Sequence, residues 1–421
     1  MKKIILITGI IVILAVVAFF FLFSSTPNEE GESRVGFSLR EFFPFGRGDD
    51  FSTDNDTSFR PDPDEQSFTQ DDTKPVPRLR KLSREPVAGA IIFNTGTTSV
   101  VRFIEKGTGN VYEAKSNSNL IERLTNTTIP KIVRAYWLPD GSGFLAQTIF
   151  SGTEIFSGTE MVETSYVRLN RRNGETGGEV LTPFVTTISK LPTDIKEITI
   201  RPDGGKIFYY TQTMNHTDWF VSNPDGTGRE TILSHPLTEW LPMWVSANTI
   251  ILQTKPSYAV ESYTYTLNPQ TGVLRKTGTG MFGMRVLPKN DNSWSLVSRG
   301  SGSSELILTN NQTLETRSIL NRAFTDKCVW SKTKNMEAYC AIPDNLPSGV
   351  YPDSWYKGLV SMEDSIRKID LANDIFYNTS SLSRESNEKI DVVDMQISDD
   401  DTHLVFRNKI DGYLWMLRIA E

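Results

Sequence analysis

The chain has 421 residues, a formal net charge of −7 and a hydrophobic fraction of 38%. This length exceeds that of a usual single domain, and the hydrophobic fraction is below the globular average, so part of the chain should lie outside a packed core. Two cysteines and three scattered histidines give no metal-ligand spacing, so we expect neither a metal site nor a cofactor.

The first 23 residues have the pattern of a membrane anchor. Lys2 and Lys3 precede Ile4–Phe23, twenty residues without a charge, which as a helix span a hydrocarbon core of about 30 Å. A cleaved signal peptide is the alternative, but its apolar region is shorter and ends in small residues. The sequence predicts contact with the lipid bilayer through Ile4–Phe23, a cytoplasmic N-terminus and an extracytoplasmic remainder.

Residues 24–75 carry most of the negative charge. They contain thirteen Asp or Glu against five Lys or Arg, a balance of −8 that leaves −1 for residues 76–421. A stretch rich in Asp, Ser, Thr and Pro buries too little surface to offset its chain entropy, which predicts a disordered linker. A near-neutral domain on an acidic linker argues against nucleic-acid binding.

From residue 76 onward, short runs of Val, Ile, Phe and Tyr are broken by Gly, Pro, Asn or Asp, as in strands. At seven positions an apolar residue precedes a polar turn, and an apolar strand resumes eight residues later. Their separations are 44, 63, 44, 43, 43 and 67 residues, a period typical of four-stranded propeller blades with two insertions. The anchors are Phe93, Trp137, Ile200, Trp244, Leu287, Trp330 and Ile397. The sequence therefore predicts an all-β fold, a β-propeller of seven four-stranded blades over residues 76–421, with six or eight as alternatives.

The repeats also predict how the ring closes. Pro139–Gly141 and Pro202–Gly204 both read Pro-Asp-Gly, which suits a tight turn between the first and second strands. The last unit, Asp391–Glu421, contains only three strands, whereas residues 78–83 precede the first unit. We expect residues 78–83 to complete the last blade, leaving no free edge.

These units resemble a known class of β-propellers. The Pro-Asp-Gly turns, Asn223–Leu233 (NPDGTGRETIL) and Asn268–Gly272 (NPQTG) are similar to blades of TolB-type and dipeptidyl-peptidase-type propellers, relatives of the WD-repeat class. A peptidase of this type needs an attached hydrolase domain with a Gly-x-Ser-x-Gly elbow, which does not occur here. The resemblance thus favours a protein that is not an enzyme, with a propeller glycosidase as an open alternative.

Three further patterns concern binding, cross-linking and metal. The second insertion gathers Tyr351, Trp355 and Tyr356, residue types that dominate recognition surfaces when exposed, although they could also fold back onto their own blade. Cys328 and Cys340 are placed symmetrically about a turn, which allows a disulfide, with two buried thiols as the alternative. Asp399–Asp401 reads as a solvated turn rather than a calcium loop.

Together these patterns predict a membrane-tethered extracytoplasmic propeller, typical of a bacterial cell envelope, that acts as a scaffold or receptor for a protein partner. The alternative is a glycan-binding or glycan-active propeller that uses its central funnel. Carboxylates clustered at the funnel mouth beside Trp355 would favour a glycan as the ligand, whereas a broad apolar face would favour a protein partner.

Overall fold

The computed structural model describes residues 67–68, 74–151, 160–172, 182–300 and 304–420. These residues form seven antiparallel sheets, six with four strands and one with five. The predicted all-β propeller of seven four-stranded blades is confirmed, and the alternatives of six or eight blades are excluded.

The strands and helices follow one another along the chain. The strands are β1 (Ser67–Phe68), β2 (Leu79–Lys81), β3 (Val87–Thr95), β4 (Thr98–Glu105), β5 (Val111–Lys115), β6 (Ile121–Arg123), β7 (Ile132–Trp137), β8 (Gly143–Ser151), β9 (Glu160–Arg171), β10 (Phe184–Lys190), β11 (Ile195–Ile200), β12 (Ile207–Gln212), β13 (Thr217–Ser222), β14 (Glu230–His235), β15 (Trp240–Ser246), β16 (Thr249–Thr254), β17 (Glu261–Leu267), β18 (Leu274–Phe282), β19 (Arg285–Pro288), β20 (Trp294–Arg299), β21 (Glu305–Asn310), β22 (Thr316–Asn321), β23 (Cys328–Trp330), β24 (Glu337–Pro343), β25 (Asp364–Asp370), β26 (Ile375–Ser381), β27 (Val392–Ile397), β28 (His403–Asn408) and β29 (Leu414–Arg418). Two short helices are α1 (Asp353–Tyr356) and α2 (Leu382–Ser386), and Thr325–Lys327 form a 3-10 turn.

Each blade begins with its innermost strand, and these strands are β3, β7, β11, β15, β19, β23 and β27. All seven anchors found in the sequence lie on these strands. Trp137, Trp244 and Trp330 are buried, and each packs between its own sheet and the preceding one. The recurring apolar residue therefore fills the space between neighbouring blades, as the sequence predicted.

The Pro-Asp-Gly motifs form the expected turns between first and second strands. The Asp140 carboxylate accepts a hydrogen bond from Ser142 N at 2.9 Å, and Asp203 accepts one from Gly205 N at the same distance. Gly141 and Gly204 have φ angles of 68° and 76°, a region that favours glycine. The turn chemistry therefore matches the sequence prediction.

The ring closes through β2, which pairs antiparallel with β29 and so becomes the fourth strand of blade 7. The Arg80 side chain of β2 donates to the carbonyl oxygens of Lys115 and Ser118 in blade 1, at 2.5 Å each. A short additional strand, β1, pairs with β6 at the edge of blade 1. It lies within the region predicted as linker, whose other residues up to 73 lie outside the described part of the chain.

No helix among the described residues is long and apolar enough to cross a membrane. This finding contradicts the localisation predicted from the sequence, a single-pass membrane protein, as far as the described residues reach. The expected anchor, Ile4–Phe23, lies outside them.

The alternation of strand direction gives the disc two distinct faces. Connections from the second to the third strand, and from the fourth strand to the next blade, lie on one face, which we call the loop face. The other connections lie on the opposite face, the turn face. The blade-6 insertion, within residues 344–363, connects the second strand of its blade to the third. It therefore lies on the loop face, whereas residues 152–159 of the first insertion lie outside the described part of the chain.

Blade 6 carries the single disulfide. Cys328 of β23 lies opposite Cys340 of β24, and their sulfur atoms are bonded. The predicted cross-link is present, and the alternative of two free thiols is excluded. The bond ties the first strand of the blade to the second.

Candidate functional site

The three aromatic side chains of the blade-6 insertion, Tyr351, Trp355 and Tyr356, do not form the exposed cluster that was considered from the sequence pattern. Tyr351 and Trp355 are only 1% and 2% exposed, and they pack with Phe324 and Met362. The expectation of an exposed aromatic cluster is therefore wrong for these two residues. The insertion folds back because the Trp355 indole N–H donates to the buried Asp391 carboxylate at 3.0 Å.

Tyr356 remains at the surface, with 38% of the residue exposed. Its hydroxyl donates to the Asp326 carboxylate at 2.7 Å, and Asp326 also pairs with Arg285 at 3.1 Å. Burial of the hydroxyl end of the side chain and the neighbouring Asp326 raise the pKa of Tyr356. A binding role for Tyr356 stays a prediction.

The insertion reaches beyond its own blade. Asp353 in α1 accepts hydrogen bonds from Tyr258 N at 2.7 Å and from Ser257 Oγ at 3.2 Å, both in the connection between β16 and β17 of blade 4. Pro352 lies close to Gly283 at the start of blade 5, where an added Cβ would meet Pro352 Cδ at 3.0 Å. The loop face over blades 4 to 6 is thus one continuous surface.

Exposed apolar side chains concentrate on this face. Nine of the seventeen large apolar residues that are exposed in the described part of the chain lie in its connections or at strand ends beside them. They are Met214, Leu237, Tyr258, Val260, Phe282, Val350, Tyr356, Leu359 and Ile410. By the same criterion the turn face holds four, which are Leu120, Val273, Leu314 and Ile375, and the remaining four lie on outer strands.

The central channel holds a small charged cluster. Arg134 of β7 donates to Glu197 of β11 at 3.0 Å and to the Tyr136 hydroxyl at 2.8 Å. More than half of the Arg134 side chain is exposed although it lies on an innermost strand, so it faces the channel. Burial raises the pKa of Tyr136, which keeps its hydroxyl protonated. No local sequence pattern marked these residues, because the cluster forms only when two blades meet.

A groove of about 410 Å³ lies on the turn-face side between blades 1 and 2. Arg102 crosses it, with its guanidinium 5.3 Å from the Phe93 ring and 5.1 Å from the Phe184 ring. Its Nε donates to Glu113 at 2.9 Å. The cation is thus neutralised by a carboxylate of the same groove, and its position is fixed by the two rings.

Asp399–Asp401 joins three blades on the turn face. Asp401 accepts hydrogen bonds from Lys332 N at 2.9 Å and Thr333 N at 3.0 Å in blade 6. Asp399 accepts one from Asn94 N in blade 1 at 3.1 Å. Asp399–Asp401 therefore forms a turn, as the sequence predicted. Its carboxylates are not merely solvated, because they accept hydrogen bonds from the neighbouring blades.

No group of three or more His, Cys, Asp or Glu side chains in the described ranges could hold a metal ion. His216, His235 and His403 lie in separate strands or loops and contact different partners.

Comparisons with known proteins identify the fold. No family model matches the chain, and no curated protein is significantly similar to it. Among solved structures, an oligogalacturonate lyase in complex with manganese is 11% identical, with a TM-score of 0.53 over 82% of this chain and 93% of the other. The oligogalacturonate lyase of Vibrio parahaemolyticus is 12% identical, with a TM-score of 0.53 over 85% and 97%. TolB from Acinetobacter baumannii is 8% identical, with a TM-score of 0.39 over 74% and 60%.

The two lyase similarities agree with the β-propeller fold that the sequence predicted. They also correct the prediction that the chain is not an enzyme. That prediction rested on the missing hydrolase domain, yet the propeller covers 93% of a lyase structure that is itself an enzyme.

Proposed function

We propose that the protein binds a protein partner through its loop face, with the blade-6 insertion and the β16–β17 connection of blade 4 at the centre of the contact. The observation that supports this proposal is the concentration of exposed apolar side chains there. Leu359 and Val260 are 74% and 59% exposed, and Asp353 holds their two loops together. Large exposed apolar patches on soluble domains mark interaction sites.

A saccharide ligand in the funnel receives less support from the geometry. Asp391, the carboxylate that Trp355 contacts, and Asp364, which shares Lys327 with it, both have side chains that are 0% exposed, so a saccharide at the mouth would not touch them. Arg134 and Arg285, two cations of the channel mouth, are each paired with a carboxylate of this chain. An acidic saccharide such as the substrate named for the lyases would meet little uncompensated positive charge.

The test compares two double variants of the purified protein in cross-linking pull-downs from an extract of its source cells. Val260→Asp/Leu359→Asp places charges on the loop face, and Val273→Asp/Leu314→Asp places the same charges on the turn face. A partner that is captured by the native chain and the turn-face variant, but lost from the loop-face variant, supports the proposal. We expect the affinity for that purified partner to fall at least tenfold, about 1.4 kcal/mol.

Both variants change exposed residues, so their thermal midpoints should match that of the native protein. A partner retained equally by both variants would place the contact elsewhere. Retention of a saccharide without any protein would favour the funnel interpretation instead.

A further inference from the structure

A lysine and two aspartates meet in the interior beneath the blade-6 insertion. Lys327 ends the 3-10 turn before β23, Asp364 begins β25, and Asp391 precedes β27. The Lys327 Nζ atom lies 2.6 Å from Asp364 Oδ2 and 2.5 Å from Asp391 Oδ1. All three side chains are 0% exposed. Removing three charged groups from water costs several kcal/mol per ion, so this cluster is unusual for a structural contact.

The two carboxyl groups have different surroundings. Asp391 accepts hydrogen bonds on both oxygens from Trp355 Nε1, and Met362 N donates to its Oδ2 at 3.0 Å. Asp364 Oδ2 accepts from Lys327 and from Val392 N, while its buried Oδ1 has no partner among the described residues. Burial raises the pKa of Asp364. With Asp364 protonated, Lys327 and Asp391 form a neutral pair, and one carboxylic acid faces the amine.

We propose that Lys327 and Asp364 form an intramolecular isopeptide bond, with Asp391 as the proton acceptor. The Asp391 carboxylate takes one proton from the Lys327 ammonium, and the neutral Nζ attacks the Cγ atom of protonated Asp364. The bond from Cγ to the hydroxyl oxygen then breaks, and this hydroxyl leaves as water with a second proton from Nζ. The products are an amide that keeps one N–H, one water molecule and a protonated Asp391, so atoms and charge balance without an oxidant or cofactor.

The surroundings of the cluster favour this reaction. The three groups are already held at hydrogen-bond distance, which removes most of the entropy cost of bringing them together. The Trp355 ring lies 4.7 Å from Nζ and shields it from solvent, and a desolvated lysine amine is an effective nucleophile. The product replaces a buried ion cluster with a neutral amide and a neutral acid, which removes the desolvation cost.

At this position, the proposed bond would cross-link two parts of blade 6. It would tie the 3-10 turn that leads into the first strand of blade 6 to the third strand, next to the Cys328–Cys340 disulfide that ties the first strand to the second. Blade 6 is also the blade whose insertion forms part of the loop face. Two adjacent cross-links would hold the base of that insertion rigid.

Intact-mass spectrometry of the reduced, full-length native chain tests the proposal. We expect a mass lower by one water than the sequence requires, and a proteolytic fragment pair joined at Lys327 and Asp364. Lys327→Arg and Asp391→Asn should each restore the full mass. Lys409→Arg is the matched control, because the Lys409 Nζ lies 5.4 Å from the same Trp355 ring and plays no part in the bond.

The result for the native chain decides the matter even if a variant fails to fold. A reduced native chain at its full sequence mass would overturn the proposal. A water loss mapped to an Asp-Gly pair such as Asp140-Gly141 would also overturn it, because a succinimide there has the same mass. A bond that still forms in Asp391→Asn would remove Asp391 from the reaction.

Discussion

Two buried glutamine side chains and one half-buried glutamine join neighbouring blades through hydrogen bonds to the backbone. Gln147 of blade 2 donates to the Ile195 carbonyl oxygen of blade 3 at 3.1 Å, and Gln253 of blade 4 donates to the Met284 carbonyl oxygen before blade 5. Gln396 of blade 7 bonds in the same way to the first strand of blade 1, and so contributes to closure of the ring. Each buried amide is satisfied by a group on the next blade, which fixes the position of one blade against another.

His403 predicts a stability that depends on pH. Burial lowers its pKa from the ordinary value of 6.5 to about 4, an effect that Arg80 and Arg418 increase and Asp400 opposes. The folded protein therefore keeps His403 neutral where the unfolded chain binds a proton. Its contribution to stability is complete above pH 6.5 and is lost as the pH falls from about 6.5 toward 4.

The measurement is urea unfolding at several pH values across this window. We expect His403→Gln to show a weaker loss of unfolding free energy on acidification than the native protein. The comparison variant is His216→Gln, which changes a histidine with a side chain that is 44% exposed. Equal slopes against pH for the native protein and His403→Gln would contradict the prediction.

The blade-6 insertion is an ordered element because two aspartates hold it at its two sides. Asp391 binds the Trp355 indole beneath it, and Asp353 binds the connection of blade 4 beside it. The insertion therefore has an anchored base and an exposed outer side that carries Leu359. An apolar surface on an anchored loop loses less conformational entropy on binding than a mobile one.

Asp353→Ala should release the insertion from blade 4 without unfolding the propeller. We expect faster hydrogen exchange at the Tyr258 amide, which donates to Asp353 at 2.7 Å, together with an unchanged thermal midpoint. Asp344→Ala is the control, since Asp344 accepts from Ser365 Oγ at the other end of the insertion. Exchange at Tyr258 that stays as slow as in the native protein would show that the contact does not hold the loops together.

The propeller fold could be predicted from the sequence because the pattern that produces it is local and recurs in each blade. Trp137, Trp244 and Trp330 occupy the same position of blades 2, 4 and 6, and Ile200 and Leu287 occupy it in the blades between them, so the spacing of the five residues reports the blade length. The placement of Trp355 was not accessible in this way. Its burial depends on Asp391, 36 residues further along the chain, and no local pattern distinguishes an aromatic residue that folds back from one that faces a partner. The channel cluster of Arg134 and Glu197 was missed for the same reason, since its members come from different blades.

Closure of the ring by an N-terminal strand makes the stability of the whole propeller depend on a few residues near Leu82. Leu82 is 2% exposed, its N–H donates to the Leu414 carbonyl oxygen at 2.7 Å, and its side chain packs between blades 7 and 1. Leu82→Ala should therefore lower the free energy of unfolding by about 2–5 kcal/mol. Deleting residues 75–84 should cost more, because it also removes the pairing of β2 with β29.

Urea unfolding followed by tryptophan fluorescence measures both effects. Leu120→Ala makes the same chemical change at a residue that is 42% exposed, so its cost should stay within about 0.5 kcal/mol. A single transition that shifts as a whole in Leu82→Ala would show that the blades unfold together and that closure stabilises all of them. If only a minor early transition shifted, blades 7 and 1 would be separable from the rest, and the closing strand would stabilise its own sheet alone.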